Sequence, residues 1–175
     1  ARLHEDEMTK PLMILGVSDA KPFAGALEKA GLADRFDVAV VPPSKKPDAD
    51  QLARAEVLLS FNVAPGMLGE MPKLKWVQSM SVGVDHWLER PDLTRAHVLT
   101  AARGTHRVQM PANILGALFH ITKPYMAATM AQRDSRWTRL MSVPMAGLTL
   151  GILGLGAIGQ ELARKAATLE LRVIG

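Results

Sequence analysis

One short string constrains this chain more than any other: Gly154-Leu155-Gly156-Ala157-Ile158-Gly159, set between the apolar run "LTLGIL" and the amphipathic "QELARKAATLEL", with "RVIG" after it. The flanks read as a buried strand, a helix and a second strand. A glycine turn in that setting belongs to a strand-helix-strand unit with a parallel sheet. Gly154 permits a tight turn, Gly156 lets a backbone approach a pyrophosphate, and Gly159 lets the helix pack close to the sheet. Ala157 and Ile158 count with the glycines as cofactor-binding residues, and the first N–H groups and positive dipole end of the helix that follows face the phosphates. The spacing alone is weak, since glycine is common, and a packing turn with no ligand is the competing reading.

The rest of the chain repeats the alternation. Short runs rich in valine, isoleucine and leucine, at 12–17, 37–41, 57–61, 74–80 and 97–101, read as five strands. A helix is expected from about Phe23 to Ala30, ended by Gly31, and another in "ADQLARAE", capped by Asp48. A short helix near "PGMLGEM" and a capped turn at Asp85 complete an α/β, doubly wound parallel sheet. After Gly104 the pattern changes. From Met110 a long helical stripe carries Leu115, Leu118, Phe119, Thr122, Tyr125, Met126, Thr129 and Met130, with Pro111 in its first turn and a kink expected at Pro124. It reads equally as a helix bridging two domains or as a core helix. Residues 140–147 read as a linker into the glycine unit.

Composition narrows the chemistry. The chain has 175 residues, 48% hydrophobic and 22% charged, an ordinary globular balance. With no cysteine, disulfides, thiolate zinc sites and cysteine nucleophiles are all excluded, and a reducing, cytoplasmic setting fits. The segment "ARLHEDEMTK" does not read as a signal peptide. No residue between Arg139 and Glu161 is charged, but Pro144 and five glycines make that run a strand-and-turn segment rather than a membrane span.

Net charge is +4, carried by the second half: residues 1–90 hold 11 Lys/Arg against 13 Asp/Glu, and the remainder 10 against 4. That suits an anionic ligand such as a dinucleotide or a carboxylate. Arg133, Arg136 and Arg139 are its tightest cluster. Without interleaved aromatic residues they read as a solvated helix face rather than a nucleic-acid site, so no nucleic-acid partner is expected. The histidines (His4, His86, His97, His106 and His120) are scattered without metal-ligand spacing and read as structural or solvated, so no metal is expected.

At "LKWVQSMSVGVDHW" (74–87), "VLTAARGTH" (98–106), a long helix and "GLTLGILGLGAIGQELARKA" (147–166), the chain resembles the D-isomer-specific 2-hydroxyacid dehydrogenases, in order over nearly its whole length. The resemblance implies a flavodoxin-like substrate-binding domain over 1–104. It also implies, over 105–175, a bridging helix and the first strand-helix-strand of a Rossmann domain that binds NAD or NADP. The active site would lie in the cleft between them and transfer hydride between the cofactor and a 2-hydroxy or 2-keto acid, a small-molecule substrate in a homodimeric enzyme. In "SVGVD" the family holds the substrate carboxylate on backbone N–H groups, which puts Val82 and Gly83 in that role; a nest of amides in a glycine turn suits an anion. The other reading makes Gly83 a turn residue with positive φ, and Asp85 a helix cap.

Two departures follow. Met110-Pro111-Ala112-Asn113 stands where the family commonly has Met-Ala-Glu-Tyr, so the acidic position is replaced. The arginine and the acid-supported histidine that the resemblance implies lie well after the glycine string, so no catalytic residue is expected within these 175. "TAARG" mimics the arginine segment but precedes the glycines, and Arg103 is not given the role. The expectation is therefore the N-terminal portion of such an enzyme, inactive alone, with apolar surface and strand edges of its second domain exposed. A non-catalytic dinucleotide-sensing or protein-interaction module on the same scaffold is the alternative.

Overall fold

The computed structural model describes residues 10–175. His4 and most of the polar first segment lie outside them. The chain divides into two compact units, one ending at Ala102 and the other spanning Arg103–Gly175.

The first unit is built on β1 (Leu12–Gly16), α1 (Lys21–Lys29), β2 (Asp37–Val40), α2 (Ala49–Arg54), β3 (Ala55–Ser60), β4 (Trp76–Ser79), α3 (Asp85–Leu88) and β5 (Val98–Thr100), with a 3-10 turn at Met67–Glu70. The strands pair in the order β2-β1-β3-β4-β5, every pair parallel. The near-continuous apolar runs of β1 and β3 follow from burial on both faces, whereas the edge strands β2 and β5 leave Val38, Val40 and Val98 exposed. Alternate residues divide: Ile14, Leu58 and Val77 join Leu52 of α2 and Trp87 of α3 in one core, while Met13, Leu15 and Val57 meet Phe23 of α1 in the other. Helices on opposite faces make the sheet doubly wound.

Local chemistry explains where the elements begin. Asp48 accepts from the Gln51 N–H at 2.8 Å while Gln51 Oε1 accepts from the Asp48 N–H at 3.0 Å, a reciprocal capping box that starts α2. Asp85, expected as a cap, is instead the first residue of α3; Val84 occupies the cap position and no side-chain cap bond forms. The acid still sits where the helix dipole favours negative charge.

The second unit holds α4 (Gln109–Thr122), α5 (Tyr125–Arg133), β6 (Thr149–Gly151), α6 (Ala157–Ala167) and β7 (Arg172–Ile174). Pro124 breaks the long helical pattern rather than kinking it: Lys123 is extended, at φ −114° and ψ 141°, the conformation a following proline imposes. The expected stripe divides with the helix. Leu115, Leu118, Phe119 and Thr122 are half-buried, whereas Tyr125, Met126, Thr129 and Met130 are exposed. Leu118 and Phe119 pack against Met145, Ala166 and Leu171, so α4 serves the core of its own unit. Of the three clustered arginines only Arg133 is helical; Arg136 and Arg139 follow α5 in irregular chain, which corrects the helix-face reading. No helix of the described residues is long and apolar enough to cross a membrane.

β6 and β7 form a two-stranded parallel sheet, Thr149 opposite Arg172 and Gly151 opposite Ile174. Leu153 is fully exposed, Leu155 and Ile174 are also exposed, and no third strand joins the pair among the described residues.

Candidate functional site

In the second unit the chain leaves β6 and turns into α6 through the six-residue glycine string. The three glycines differ in what a side chain would meet. Gly154 lies at φ +96°, a left-handed conformation open to glycine at little cost. Gly156 is the residue before the helix, at φ −74° and ψ −165°, and a Cβ there would have no atom within 4 Å. Gly159, buried in the first turn of α6, is the reverse: a Cβ would collide with the carbonyl oxygen of Gly154 and come within 3.3 Å of Ile152 Cγ2. The string is thus tight at one end, open in its middle and closed against the sheet at the other.

Ala157 and Ile158 open α6, the first turn has no acidic residue, and no side chain caps it. The first N–H groups of any helix lack intrahelical partners and carry the positive end of the dipole. Glu161, the nearest carboxylate in the helix, is engaged by Arg164 at 2.6 Å and Lys165 at 3.6 Å. The hydrogen bond from Arg164 holds its carboxyl below the usual range, against the opposing effect of desolvation. Gln160 Nε2 donates to the Leu155 carbonyl at 2.7 Å and ties the middle of the string to the helix.

In the first unit, "SVGVD" follows β4 at the carboxyl edge of the sheet. Ser81 is fully committed: its N–H donates to Ser79 Oγ at 3.1 Å, and its carbonyl accepts from the Ala102 N–H at 3.1 Å. Val84 accepts from the Trp87 N–H at 2.8 Å. Between them the N–H groups of Val82 and Gly83 meet no acceptor among the described residues. Val82 is half-buried and Gly83 exposed. Gly83 is absent from the positive-φ glycines, and a Cβ there would meet only Asp85 Oδ2, at 3.7 Å, so the left-handed-turn reading of Gly83 is set aside.

The described histidines are apart from both features. His97 accepts from the Thr94 N–H at 3.0 Å, His86 holds the Phe61 carbonyl at 2.9 Å, and His106 and His120 are exposed. None pairs with a carboxylate, and no group of three or more potential metal ligands occurs among the described residues. Arg103 is exposed.

Sequence reasoning missed Arg90 and Asp92. Arg90 Nη2 and Asp92 Oδ2 lie 2.9 Å apart with side chains only 10% exposed, beneath the loop that follows β3. Burial pushes the Asp92 carboxyl up, but the hydrogen bonds from Arg90 and the Leu68 N–H and the guanidinium charge together hold it below the ordinary carboxylate value. Nothing in "LERPDL" marks that pair as buried; the signal is the contact between distant loops.

Residues 115–175 match the family model for the NAD binding domain of D-isomer specific 2-hydroxyacid dehydrogenases. Over 92% of the chain, it is 27% identical to an erythronate-4-phosphate dehydrogenase of Tolumonas auensis, of which it covers 38%. It is 25% identical to a D-3-phosphoglycerate dehydrogenase of Methanocaldococcus jannaschii, covering 99% of this chain and 30% of that one. Among solved structures, an NADPH-dependent glyoxylate/hydroxypyruvate reductase of Sinorhizobium meliloti, in complex with NADP and sulfate, superposes with a TM-score of 0.73 at 27% identity, over 95% of this chain and 52% of that one. The chain therefore spans about a third to a half of the length of these proteins. Over residues 115–175 its sequence is thus similar to the NAD binding domain of D-isomer specific 2-hydroxyacid dehydrogenases, and over nearly its whole length its fold is similar to that of the Sinorhizobium reductase.

Proposed function

We propose that this chain supplies two anion-binding elements of an NAD(P)-dependent D-2-hydroxyacid dehydrogenase: the Gly154–Gly159 loop for the cofactor pyrophosphate and the Val82–Gly83 amides for the substrate carboxylate. The observation that carries the reading is the threefold difference among the glycines, with open space at Gly156 directly before an uncapped helix start. A pyrophosphate needs that space, because its oxygens must approach the backbone N–H groups of Ala157 and Ile158 without a side chain between. The cofactor, when bound, supplies the hydride acceptor or donor. NAD and NADP share that pyrophosphate, so the loop by itself does not choose between them.

Val82 and Gly83 complete the reading. Two N–H groups without acceptors, beside a residue whose own backbone is fully committed, suit the two oxygens of a carboxylate. Fixing that end of a 2-keto acid orients its carbonyl carbon, which is where positioning lowers the barrier. Proton transfer to the developing hydroxyl requires a titratable group within reach, and no residue of this chain is assigned to it. In the intact protein the chain would belong to a homodimer in a reducing, cytoplasmic setting, to which exposed Tyr125, Met126, Met130 and Trp137 offer apolar surface.

The purified chain is therefore expected to bind NADH or NADPH weakly and to turn over none of glyoxylate, hydroxypyruvate or pyruvate. Dinucleotide binding by fluorescence titration supports the reading. Measurable oxidation of NADH or NADPH dependent on any of these acids contradicts the absence of a catalytic group.

A further inference from the structure

The loop after β3 is fixed mainly by side chains, with one backbone turn in which the Met67 N–H donates to the Ala64 oxygen at 3.2 Å. Its first four carbonyl oxygens all have side-chain partners. His86 Nε2 meets the Phe61 oxygen at 2.9 Å, Ser60 Oγ donates to the Asn62 oxygen at 2.7 Å, and Arg90 donates to Val63 through Nη1 at 2.9 Å and to Ala64 through Nη2 at 2.8 Å. Arg90 is itself held: Nε donates to Asp92 Oδ1 at 3.0 Å, Nη2 to Oδ2 at 2.9 Å, and the guanidinium lies 5.7 Å from the centre of the Trp87 ring. Asp92 Oδ2 also accepts from the Leu68 N–H at 3.0 Å, where the same loop ends.

Three of these four bonds, all but that of Ser60, come from one place. His86 lies within α3 and Arg90 two residues beyond its end, and the Val82–Gly83 turn runs directly into that helix. Surface loops are ordinarily the mobile part of a fold. Here a planar guanidinium, which presents several donors in a rigid fork, spans two successive carbonyls while its other edge is fixed by a carboxylate.

We propose that His86 and Arg90 are positioning residues that fasten the Phe61–Ala64 loop to the helix carrying the Val82–Gly83 turn, so that the loops following β3 and β4 form one rigid rim. Its bearing on ligand binding rests on the reading of Val82 and Gly83 as carboxylate donors; the mechanical link between the loops does not. A binding turn holds its geometry only as well as the residues behind it are held. The braced loop also walls a cavity of about 240 Å³ with Gly16, Pro42, Pro43 and Lys45, so its position shapes the carboxyl edge of the sheet beyond the turn itself.

The test uses the full 175-residue chain, ¹⁵N-labelled, with glyoxylate as the probe. Arg90→Lys keeps a positive charge opposite Asp92 but cannot span both carbonyls, and His86→Ala removes one exposed donor. Both are expected to lower the backbone order of 61–64 and of 82–83 by ¹⁵N relaxation, while amides of Ile14, Leu58 and Val77 keep their protection. His86→Gln, which retains an N–H, is expected to restore that order. Glyoxylate affinity is expected to fall roughly three- to tenfold in Arg90→Lys, the scale of one or two lost hydrogen bonds. Wild-type order at both loops in Arg90→Lys and His86→Ala overturns the brace, whatever glyoxylate does. If glyoxylate leaves the Val82 and Gly83 amides of the wild-type chain unshifted, the carboxylate reading fails on its own. Loss of order at both loops in the variants then still upholds the mechanical link.

Discussion

The carbonyl oxygen of Gly154 occupies the space that a side chain on Gly159 would need. Five residues apart, the two close the glycine string on itself and bring the start of α6 against the end of β6. Gly156, midway between them, has the opposite surroundings. That contrast separates folding from binding within one motif. Gly159→Ala is expected to destabilise the second unit by more than about 2 kcal/mol, because the atom it meets is backbone and cannot swing aside. Gly156→Ala is expected to leave the thermal midpoint nearly unchanged and to weaken NADPH binding at least tenfold. Thermal denaturation and a fluorescence titration on the two variants check both halves.

Gly83 makes a milder prediction. Its backbone is not left-handed, and a methyl group would touch only Asp85 Oδ2 at van der Waals distance. Gly83→Ala should therefore change stability by no more than about 0.5 kcal/mol. The N–H is retained, so a glyoxylate-dependent amide shift at this residue should persist. Loss of the fold in Gly83→Ala would show that the turn depends on glycine for a reason these contacts do not contain.

Acid sensitivity is expected to reside partly in Asp92. Its carboxyl is held below the ordinary value by Arg90 and the Leu68 N–H in spite of burial, so the unfolded chain takes up a proton more readily than the folded one. The stabilisation is fully present above the unfolded value of about 3.9 and is lost as pH falls through the lower folded value. Asp92→Asn should thus be less stable than wild type at neutral pH and lose less stability between about pH 5 and 2. Thermal midpoints across that range measure the two slopes, and parallel slopes would exclude the pair as the source.

Trp87 is fully buried in the first unit, and its Nε1 has no hydrogen-bond partner among the described residues. Trp87→Ala is expected to cost about 3–5 kcal/mol through the cavity left behind. Trp87→Phe should cost clearly less than its lost volume implies, because it also removes a buried donor without an acceptor. Urea unfolding of the two variants gives the comparison.

The sequence disclosed what depends on neighbours along the chain. Apolar runs such as "LMILGV" announced strands, Asp48 announced the start of α2, and the glycine spacing announced the turn into α6. It misjudged Pro124, where restriction of Lys123 breaks the helix outright. It misjudged Asp85, where the cap position falls one residue earlier. The Arg90–Asp92 pair was illegible, because its meaning lies in carbonyls of Val63 and Ala64 more than 25 residues away. In the candidate site, the motif supplied the glycines but not their differing surroundings, which depend on how closely α6 approaches β6.

Whether the Gly154–Gly159 loop receives the pyrophosphate of a dinucleotide is read from an NMR titration of the ¹⁵N-labelled chain with NADPH. Progressive shifts are expected at the amides of Gly156, Ala157 and Ile158, with smaller changes elsewhere in α6 and none in α1. Unchanged positions for those three amides at millimolar NADPH would contradict that binding.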